Sequence, residues 1–312
     1  MNVSADRIVR GLIAEGQARF VAVIATEVAR EATQRHAATG NAAIAMGRAG
    51  AAGLLLATLT KGDERVTLQI LGDGPLGAIT VDATSEGAAR VFLKHPEPTP
   101  VVTDDLGRPR LGSWVGRSGV VSVIRDLGMR DTFSGQTAIV NGEIDGDVEK
   151  YLMDSEQIDS VLACETLLDS AGHIRLAVGV LLQAMPGGDG AELLENVRAR
   201  FRAGLLTSAL LKVAAEENPG DLVEAISDAT LGEYAIALNI LDERPVRFHC
   251  PCSRERAASS IGLLGEADLA TMIQEDGEAE VTCDFCRTQY QFSDVDLEEI
   301  RRALRKNTNP PS

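Results

Sequence analysis

Two close pairs of cysteines in the last quarter of the chain constrain its fold more than any other feature. Cys250 and Cys252 form a Cys-x-Cys pair, and Cys283 and Cys286 form a Cys-x-x-Cys pair. A Cys-x-x-Cys turn places two thiolates about one tetrahedral edge apart, and a second close pair supplies the other edge, as in closed four-sulfur zinc sites. We therefore predict that these four cysteines bind one Zn²⁺ ion per chain. Four protein ligands leave no position for water or substrate, so a hydrolytic zinc is not expected.

The segment that carries these cysteines, residues 248–312, is short and poor in aromatic residues. A unit of this size buries too little apolar surface to fold well alone. Structural zinc in finger peptides contributes roughly 10–16 kcal/mol to folding. We therefore predict a small C-terminal zinc-binding domain over 248–312 whose fold depends on the metal.

The Cys-x-Cys pair departs from the usual zinc ribbon, which has two Cys-x-x-Cys pairs. Its one-residue spacing allows Cys250 and Cys252 to close a small, strained disulfide ring when the metal is absent. Strained disulfides are the labile, regulatory kind, and metal-bound thiolates are already in the nucleophilic form that oxidants attack. Two interpretations follow from the spacing: a zinc site that also senses oxidants, and an inert structural zinc site.

The remaining cysteine and the adjacent histidine have simpler interpretations. Cys164 follows Val161, Leu162 and Ala163, and a cysteine in such an apolar run usually behaves as a small buried hydrophobe. His249 precedes Cys250, but a four-cysteine site needs no fifth ligand. We predict that Cys164 lies in the core and that His249 is a surface residue.

The charge of the chain argues against two classes of partner. There are 30 basic and 46 acidic side chains, a formal net charge of −16 and a pI near 4.7. The segment 248–312 alone has twelve acidic and seven basic residues, which argues against a zinc ribbon that binds nucleic acid. The most apolar stretch, residues 37–60, carries Arg48 in its middle and is predicted to be a buried or half-buried helix rather than a membrane span. The N-terminus shows no signal-peptide pattern, so we expect a cytoplasmic protein with no nucleic-acid or membrane partner.

No arrangement of residues predicts an enzyme. Histidines 36, 95 and 173 have no catalytic partner at a recognisable spacing, and the Gly72–Pro75 stretch is predicted to be a hairpin turn because no phosphate-binding helix follows it. A thioredoxin-like use of Cys283 and Cys286 would need a strand followed by a helix in a βαβ fold, which the pattern does not show.

The first 187 residues are predicted to form an α+β core domain of mixed sheets and helices. Residues 6–60 have helical spacing, although the stretch 20–26 is β-branched enough to be a strand. Beyond residue 60, alternation of apolar and polar residues predicts strands, and a segment that begins with acidic residues is predicted to be a helix. The predicted strands begin near residues 65, 78, 89, 119, 137 and 174, and the predicted helix covers 145–155.

A cluster of proline and glycine at 186–190 marks the next boundary. From 191 to 241 apolar residues recur at helical spacing, with charge on the opposite side. We predict an amphipathic helical linker over 188–247. It is either a permanently packed subdomain or a segment that docks reversibly on the first domain and exposes its apolar face when released.

Several blocks of the sequence match a known family. The blocks in the C-terminal segment are Phe248–Arg256, Ile273–Glu278 and Val281–Cys286, with Tyr290 and Phe292 behind them. Those in the first domain are Leu54–Lys61, Gln69–Pro75, Tyr151–Gln157 and Leu181–Pro186, in that family's order. Through these blocks, nearly the whole chain resembles the bacterial 33 kDa chaperonin family, the redox-regulated heat-shock holdases.

The resemblance implies a function and its switch. Members of this family bind zinc through the cysteines that match Cys250, Cys252, Cys283 and Cys286 when reduced. On oxidation the family forms two disulfides, which here would be Cys250–Cys252 and Cys283–Cys286. It then releases zinc, unfolds its linker, dimerises and binds unfolding or oxidatively damaged client proteins without ATP. The alternative that we retain is an inert structural zinc-ribbon protein that acts as an interaction module.

Overall fold

The computed structural model of the chain describes residues 5–308 apart from 14–15, 61, 63, 98–99, 127, 129–131, 186–189 and 217–220, with the backbone alone for 306–308. The chain divides into two compact units, Met1–His249 and Cys250–Ser312. The proline and glycine cluster expected at the linker boundary lies mostly outside the described residues.

A five-stranded antiparallel sheet forms one layer of the first unit. Its strands are β1 (Arg7–Ile13), β2 (Ala18–Ile24), β8 (Ser160–Leu168), β9 (Ile174–Ala184) and β10 (Asn239–Pro245). Their order across the sheet is β10-β1-β2-β9-β8, so β10 and β8 are the edge strands. Most residues of β2, β8 and β9 are buried on both faces, because the sheet is covered on both sides.

A six-stranded sheet forms a second layer. Its strands are β3 (Arg65–Gly72), β4 (Ala78–Thr84), β5 (Ala88–Leu93), β6 (Gly119–Asp126), β7 (Thr132–Ala138) and β11 (Arg247–Phe248). Their order is β11-β5-β4-β3-β6-β7, with β11 parallel to β5 and the other pairs antiparallel. Strands β3 and β4 pair from Arg65↔Thr84 to Leu71↔Ala78, which confirms the predicted hairpin.

Helices α1 (Thr26–His36) and α2 (Asn41–Ala57) follow β2, and every residue of α2 is buried. Helix α2 packs between the two sheets because its glycines allow close approach. A Cβ at Gly47 would lie 2.5 Å from Thr166 Oγ1 in β8, and one at Gly53 would lie 2.5 Å from Val81 Cγ1 in β4. The predicted buried helix is therefore confirmed. No helix in the described part of the chain is both long enough and apolar enough to cross a membrane.

The charge of Arg48 in α2 is balanced by a buried ionic network. Its guanidinium lies 3.1 Å from Glu143, 3.4 Å from Glu165 and 2.8 Å from the carbonyl of residue 109. Arg108 bonds to Glu165 at 2.7 Å and also to Asp145. Short helices α3 (Gly112–Val115) and α4 (Asp145–Tyr151), with the π-helical turn Leu152–Glu156, complete this side of the core.

Three helices of the segment predicted to be a linker cover the other face of the five-stranded sheet. They are α5 (Ala191–Arg202), α6 (Leu205–Ala215) and α7 (Leu222–Leu231), followed by the 3₁₀-helix Gly232–Ala237. Their buried residues, among them Leu194, Leu206 and Ile226, form one apolar cluster with the sheet. The helical character predicted for the linker is confirmed to residue 237.

Two local predictions were wrong. Residues 7–13 and 18–24 form strands rather than a helix, so only the alternative offered for 20–26 is correct there. Burial on both faces removes the alternating pattern that identifies a strand, and the remaining apolar spacing imitates a helix. Residues 239–241, predicted to be helical, begin strand β10, which is determined by pairing with the distant β1.

The second unit has its own small core. It contains helices α8 (Arg254–Gly262), α9 (Glu266–Glu275) and α10 (Asp294–Thr308) and the antiparallel pair β12 (Glu278–Thr282) and β13 (Gln289–Ser293). The buried apolar residues of this core are Ala257, Ile261, Leu269, Phe292 and Leu297. So small an apolar core is consistent with a fold that needs a further cross-link.

Candidate metal centre

The second cysteine pair lies in the turn that joins β12 to β13. The amide of Cys283 donates to the carbonyl of Thr288 at 2.9 Å, and the amide of Arg287 donates to the carbonyl of Cys283 at 2.8 Å. Arg287 has a φ of 58°, the left-handed conformation that closes the turn. These bonds hold Cys283 and Cys286 at the same end of the hairpin.

The first cysteine pair immediately precedes α8. Ser253 is the N-cap of this helix, and its hydroxyl accepts a hydrogen bond of 3.3 Å from the amide of Arg256. The cap fixes the direction in which the chain enters the helix. Cys250 and Cys252 are thereby held beside the hairpin turn.

The four sulfur atoms lie within 4.8 Å of one another. Cys250 Sγ is 3.7 Å from Cys283 Sγ, and Cys252 Sγ is 3.3 Å from Cys286 Sγ. A tetrahedral ion with a Zn–S distance of about 2.3 Å separates its sulfur ligands by about 3.8 Å, close to these distances. The four cysteines therefore fit a metal ion, and all five cysteines of the chain are free thiols in this structure.

The thiols have different affinities for protons. Burial raises the pKa of Cys286, but hydrogen bonds with Thr288 and with the sulfurs of Cys252 and Cys283 together outweigh it and lower that pKa to about 6. Burial raises the pKa of Cys252 to about 12 and also raises that of Cys283. A divalent cation that binds all four sulfurs must displace the protons held by the less acidic thiols.

Two further side chains contact the sulfurs. The hydroxyl of Tyr290 donates to Cys252 Sγ at 3.2 Å, and Thr288 Oγ1 lies 3.2 Å from Cys286 Sγ. The sulfur contact of Tyr290 raises the pKa of its hydroxyl to about 12. Tyr290 was singled out in the sequence only through the family resemblance, and Thr288 was missed. Both lie within four residues of Cys286 in the hairpin, which is the only sequence signal that could have indicated them.

The two residues set aside in the sequence lie elsewhere. Cys164 is fully buried in β8, and burial raises the pKa of its thiol well above the ordinary value, as predicted for a core cysteine. His249 is exposed in the first unit, and its amide donates to the carbonyl of Ala89 at 3.0 Å. The group of possible metal ligands found among the described residues at this site consists of the four cysteines.

A family model described as "Hsp33 protein" matches residues 6–293. The chain belongs to the Hsp33 protein family. It is 36% identical to the 33 kDa chaperonin of Bacillus subtilis, with 95% of this chain and 98% of the relative covered. It is 39% identical to the 33 kDa chaperonin of Gloeobacter violaceus, with 96% and 97% covered. The crystal structure of the Thermotoga maritima 33 kDa chaperonin (heat shock protein 33 homolog) superposes with a TM-score of 0.83 at 29% identity, covering 98% of this chain and all of that one.

The resemblance predicted from the sequence is thus confirmed, as is the α+β fold class. Membership in the Hsp33 family supports a chaperone role, and the relatives carry the name of a chaperonin rather than of an enzyme. The cysteine cluster could hold a metal ion. The metal, the redox chemistry and the clients belong to the proposal that follows.

Proposed function

We propose that the chain is a redox-regulated, ATP-independent cytoplasmic holdase that binds unfolding or oxidatively damaged proteins. The observation that carries the proposal is the apolar sheet face covered by the linker helices. The sheet residues of this face are Val9, Ile13, Ala18, Phe20, Ala22, Ile24, Val161, Ala163, Leu167, Leu176, Val178, Val180 and Leu182. Release of the linker would expose a surface suited to non-native chains.

Cys250, Cys252, Cys283 and Cys286 are the proposed ligands of one Zn²⁺ ion in the reduced protein. The bound ion would keep the four sulfurs deprotonated and cross-link the hairpin turn to the segment before α8. Their mutual distances of at most 4.8 Å support this assignment. The small core of the second unit supports a dependence of its fold on the metal.

Oxidation is proposed to convert the four ligands into the disulfides Cys250–Cys252 and Cys283–Cys286. In each pair one thiolate attacks peroxide and becomes a sulfenic acid while hydroxide leaves. The second thiolate then attacks that sulfur, forms the S–S bond and expels a second hydroxide. Two disulfides therefore consume two molecules of H₂O₂ and four electrons from sulfur. Disulfide sulfurs are poor metal ligands, so the site loses the ion.

We propose three domains: an α+β core at 1–187, a releasable linker at 188–247 and a zinc switch at 248–312. Loss of the metal cross-link is proposed to unfold the switch and destabilise the linker that precedes it. The protein then forms a homodimer and holds its clients. Its net charge of −16 favours solubility of a complex with exposed apolar surface and disfavours nucleic-acid and membrane partners.

The test treats the zinc-loaded full chain with peroxide under mild heat. Metal release is followed with a chromogenic chelator, and aggregation of a chemically unfolded client is followed by light scattering. We expect zinc release and suppression of aggregation to rise together. Zinc release without any gain in suppression over the reduced protein would reject the holdase and favour an inert structural zinc site in an interaction module.

Mass spectrometry of the oxidised chain tests the pairing independently. Two sulfur contacts in the structure join different pairs, Cys250 with Cys283 at 3.7 Å and Cys252 with Cys286 at 3.3 Å. Peptides linked Cys250–Cys252 and Cys283–Cys286 are expected. Cross-linked peptides that join 250 to 283 would contradict the proposed pairing.

A further inference from the structure

Strand β10 is attached to its sheet mainly through its backbone. It pairs with β1 from Arg7↔Pro245 to Leu12↔Asn239, with a bulge at Arg10/Gly11. None of its seven residues is buried, and Leu241 is 61% exposed. Main-chain hydrogen bonds therefore hold β10 in place more than side-chain packing does.

The hydrogen bond of Val246, the residue after β10, shows which amides of β10 face β1. The amide of Val246 donates to the carbonyl of Asp6 at 3.0 Å. Backbone groups alternate between the two edges of an antiparallel strand, so the amides of Arg244 and Asp242 also face β1. Pro245, which has no amide hydrogen, occupies a position that faces away.

Strand β1 is fixed in the core independently of β10. All seven of its residues pair with β2 on the opposite edge. Ile8, Val9 and Ile13 are at most 1% exposed. Departure of β10 would therefore leave β1 in place with a row of unpaired backbone donors and acceptors beside the apolar sheet face.

Acidic residues of the linker lie near or opposite the two arginines of β1. Arg7 lies 2.9 Å from Asp221 at the start of α7 and 3.6 Å from Glu243 in β10. Arg10 is the register partner of Asp242. Without the linker, Arg7 would lose both carboxylates, and Arg10 would lose the acidic residue that is paired with it across the two strands.

We propose that the exposed edge of β1 accepts an extended client segment as an added strand in place of β10, with preference for segments that carry carboxylates. The inference rests on the proposed function, because it requires the linker to leave. Backbone pairing requires no particular client sequence, which suits a holdase, and Arg7 and Arg10 select acidic neighbours. The partner is an extended stretch of unfolded polypeptide with acidic and apolar residues.

The probe is a synthetic peptide with the sequence of residues 238–247, added to the reduced and the oxidised, zinc-free full chain. We expect fluorescence anisotropy to show binding to the oxidised chain and at least about tenfold weaker binding to the reduced chain, in which β10 occupies the site. N-methylation of the peptide at positions 242 and 244 removes two hydrogen bonds and should weaken binding at least about tenfold. The matched control is N-methylation at 243 and 247, which should change little because these amides face away from β1; in the structure the amide of Arg247 donates to the carbonyl of Gly87. Equal affinities for the two methylated peptides would overturn the proposal.

Reversing the charge at position 10 and in the peptide tests the preference for acidic segments. Arg10→Glu in the oxidised chain should weaken binding of this peptide and strengthen binding of an analogue with lysine at positions 242 and 243. Arg175→Glu, an exposed arginine on β9 of the same sheet, is the control and should leave both affinities unchanged. If wild type and Arg10→Glu bind the acidic peptide and its lysine analogue in the same order of affinity, the proposed preference for acidic segments is wrong.

The client assay is run in parallel so that the two proposals fail separately. If the oxidised chain suppresses aggregation but binds no peptide, the added-strand proposal is wrong and the holdase stands. If the oxidised chain suppresses no aggregation, the holdase itself is wrong. Hydrogen exchange at Ile8 and Arg10 should slow when the peptide binds, and unchanged exchange would place the peptide elsewhere.

Discussion

The hydroxyl of Thr207 donates a 3.0 Å hydrogen bond to Glu165 Oε1, which joins linker helix α6 to the buried ionic network of the core. Both side chains are buried, and Glu165 also balances Arg48 and Arg108. The bond is one of several polar contacts between these helices and the core, which also include those of Arg7 with Asp221 and of Arg198 with Glu149. It makes the docking of α6 sensitive to a single hydroxyl.

Thr207→Val is expected to weaken the docking of the linker. Valine keeps the shape of threonine but leaves a buried carboxylate without one of its donors, at a cost of about 1.5–3 kcal/mol. We expect a lower thermal midpoint and faster hydrogen exchange in α6 of the reduced, zinc-loaded chain. Ser208→Ala, which removes an exposed hydroxyl from the next position, is the control. Equal exchange in the two variants would show that the Thr207 bond does not stabilise the docked linker.

Cys283→Ser is expected to reduce zinc affinity sharply. The substitution removes one of four sulfurs that lie within 4.8 Å of one another, and a neutral hydroxyl is a poor ligand for Zn²⁺. The measurement is zinc content after dialysis against a competing chelator. Cys164→Ala is the matched cysteine control because Cys164 is buried in β8, and it should retain one zinc per chain. Unchanged zinc content in Cys283→Ser would show that the ligand set is wrong.

Gly53→Ala is expected to destabilise the first unit although alanine favours helices. The new Cβ would lie 2.5 Å from Val81 Cγ1, so α2 or β4 must shift, at a cost of about 1–3 kcal/mol that exceeds the gain in helix propensity. Gly50→Ala in the same helix is the control, since its nearest contact is 3.2 Å, to the side-chain end of Val91. Urea unfolding should give a lower midpoint for Gly53→Ala than for Gly50→Ala. The reverse order would mean that α2 does not need the close approach to β4.

The cysteine pairs could be recognised from the sequence because their chemistry depends on short spacings along the chain. Thr288 could not, because its contact with Cys286 depends on the turn between β12 and β13. The strands likewise differ in how much of their structure can be recognised from the local sequence. The hairpin at residues 65–84 shows local alternation and a turn, and it was predicted correctly.

Strands β2 and β10 lack the alternating pattern that identifies a strand in the sequence. Strand β2 is buried on both faces and therefore shows no alternation. Strand β10 has no buried residue at all, and its conformation is determined by pairing with a strand more than 200 residues earlier in the chain. Long-range pairing therefore explains the wrong prediction for β10, and burial on both faces explains the one for β2.

Asp6→Asn is expected to stabilise the protein at neutral pH and to lose this effect in acid. Burial raises the pKa of Asp6 from 3.8 to about 6, even though its carboxylate accepts a hydrogen bond of 2.9 Å from the amide of Val28 in α1. A carboxyl whose pKa is higher in the folded state than in the unfolded state disfavours folding once it ionises. The penalty is absent below about pH 4, grows as the pH rises to about 6 and reaches at most about 3 kcal/mol above that.

Asparagine keeps a carbonyl oxygen for the Val28 amide and carries no charge, so Asp6→Asn should exceed wild type in unfolding free energy by up to about 3 kcal/mol at pH 7.5. The difference should vanish near pH 4, as measured by urea unfolding of the reduced, zinc-loaded chain at each pH. Asp169→Asn is a control of opposite sign, because hydrogen bonding from the amide of His173 lowers the pKa of Asp169, so its substitution should destabilise at neutral pH. A constant difference between Asp6→Asn and wild type from pH 4 to 7.5 would mean that Asp6 titrates alike in the folded and unfolded chain.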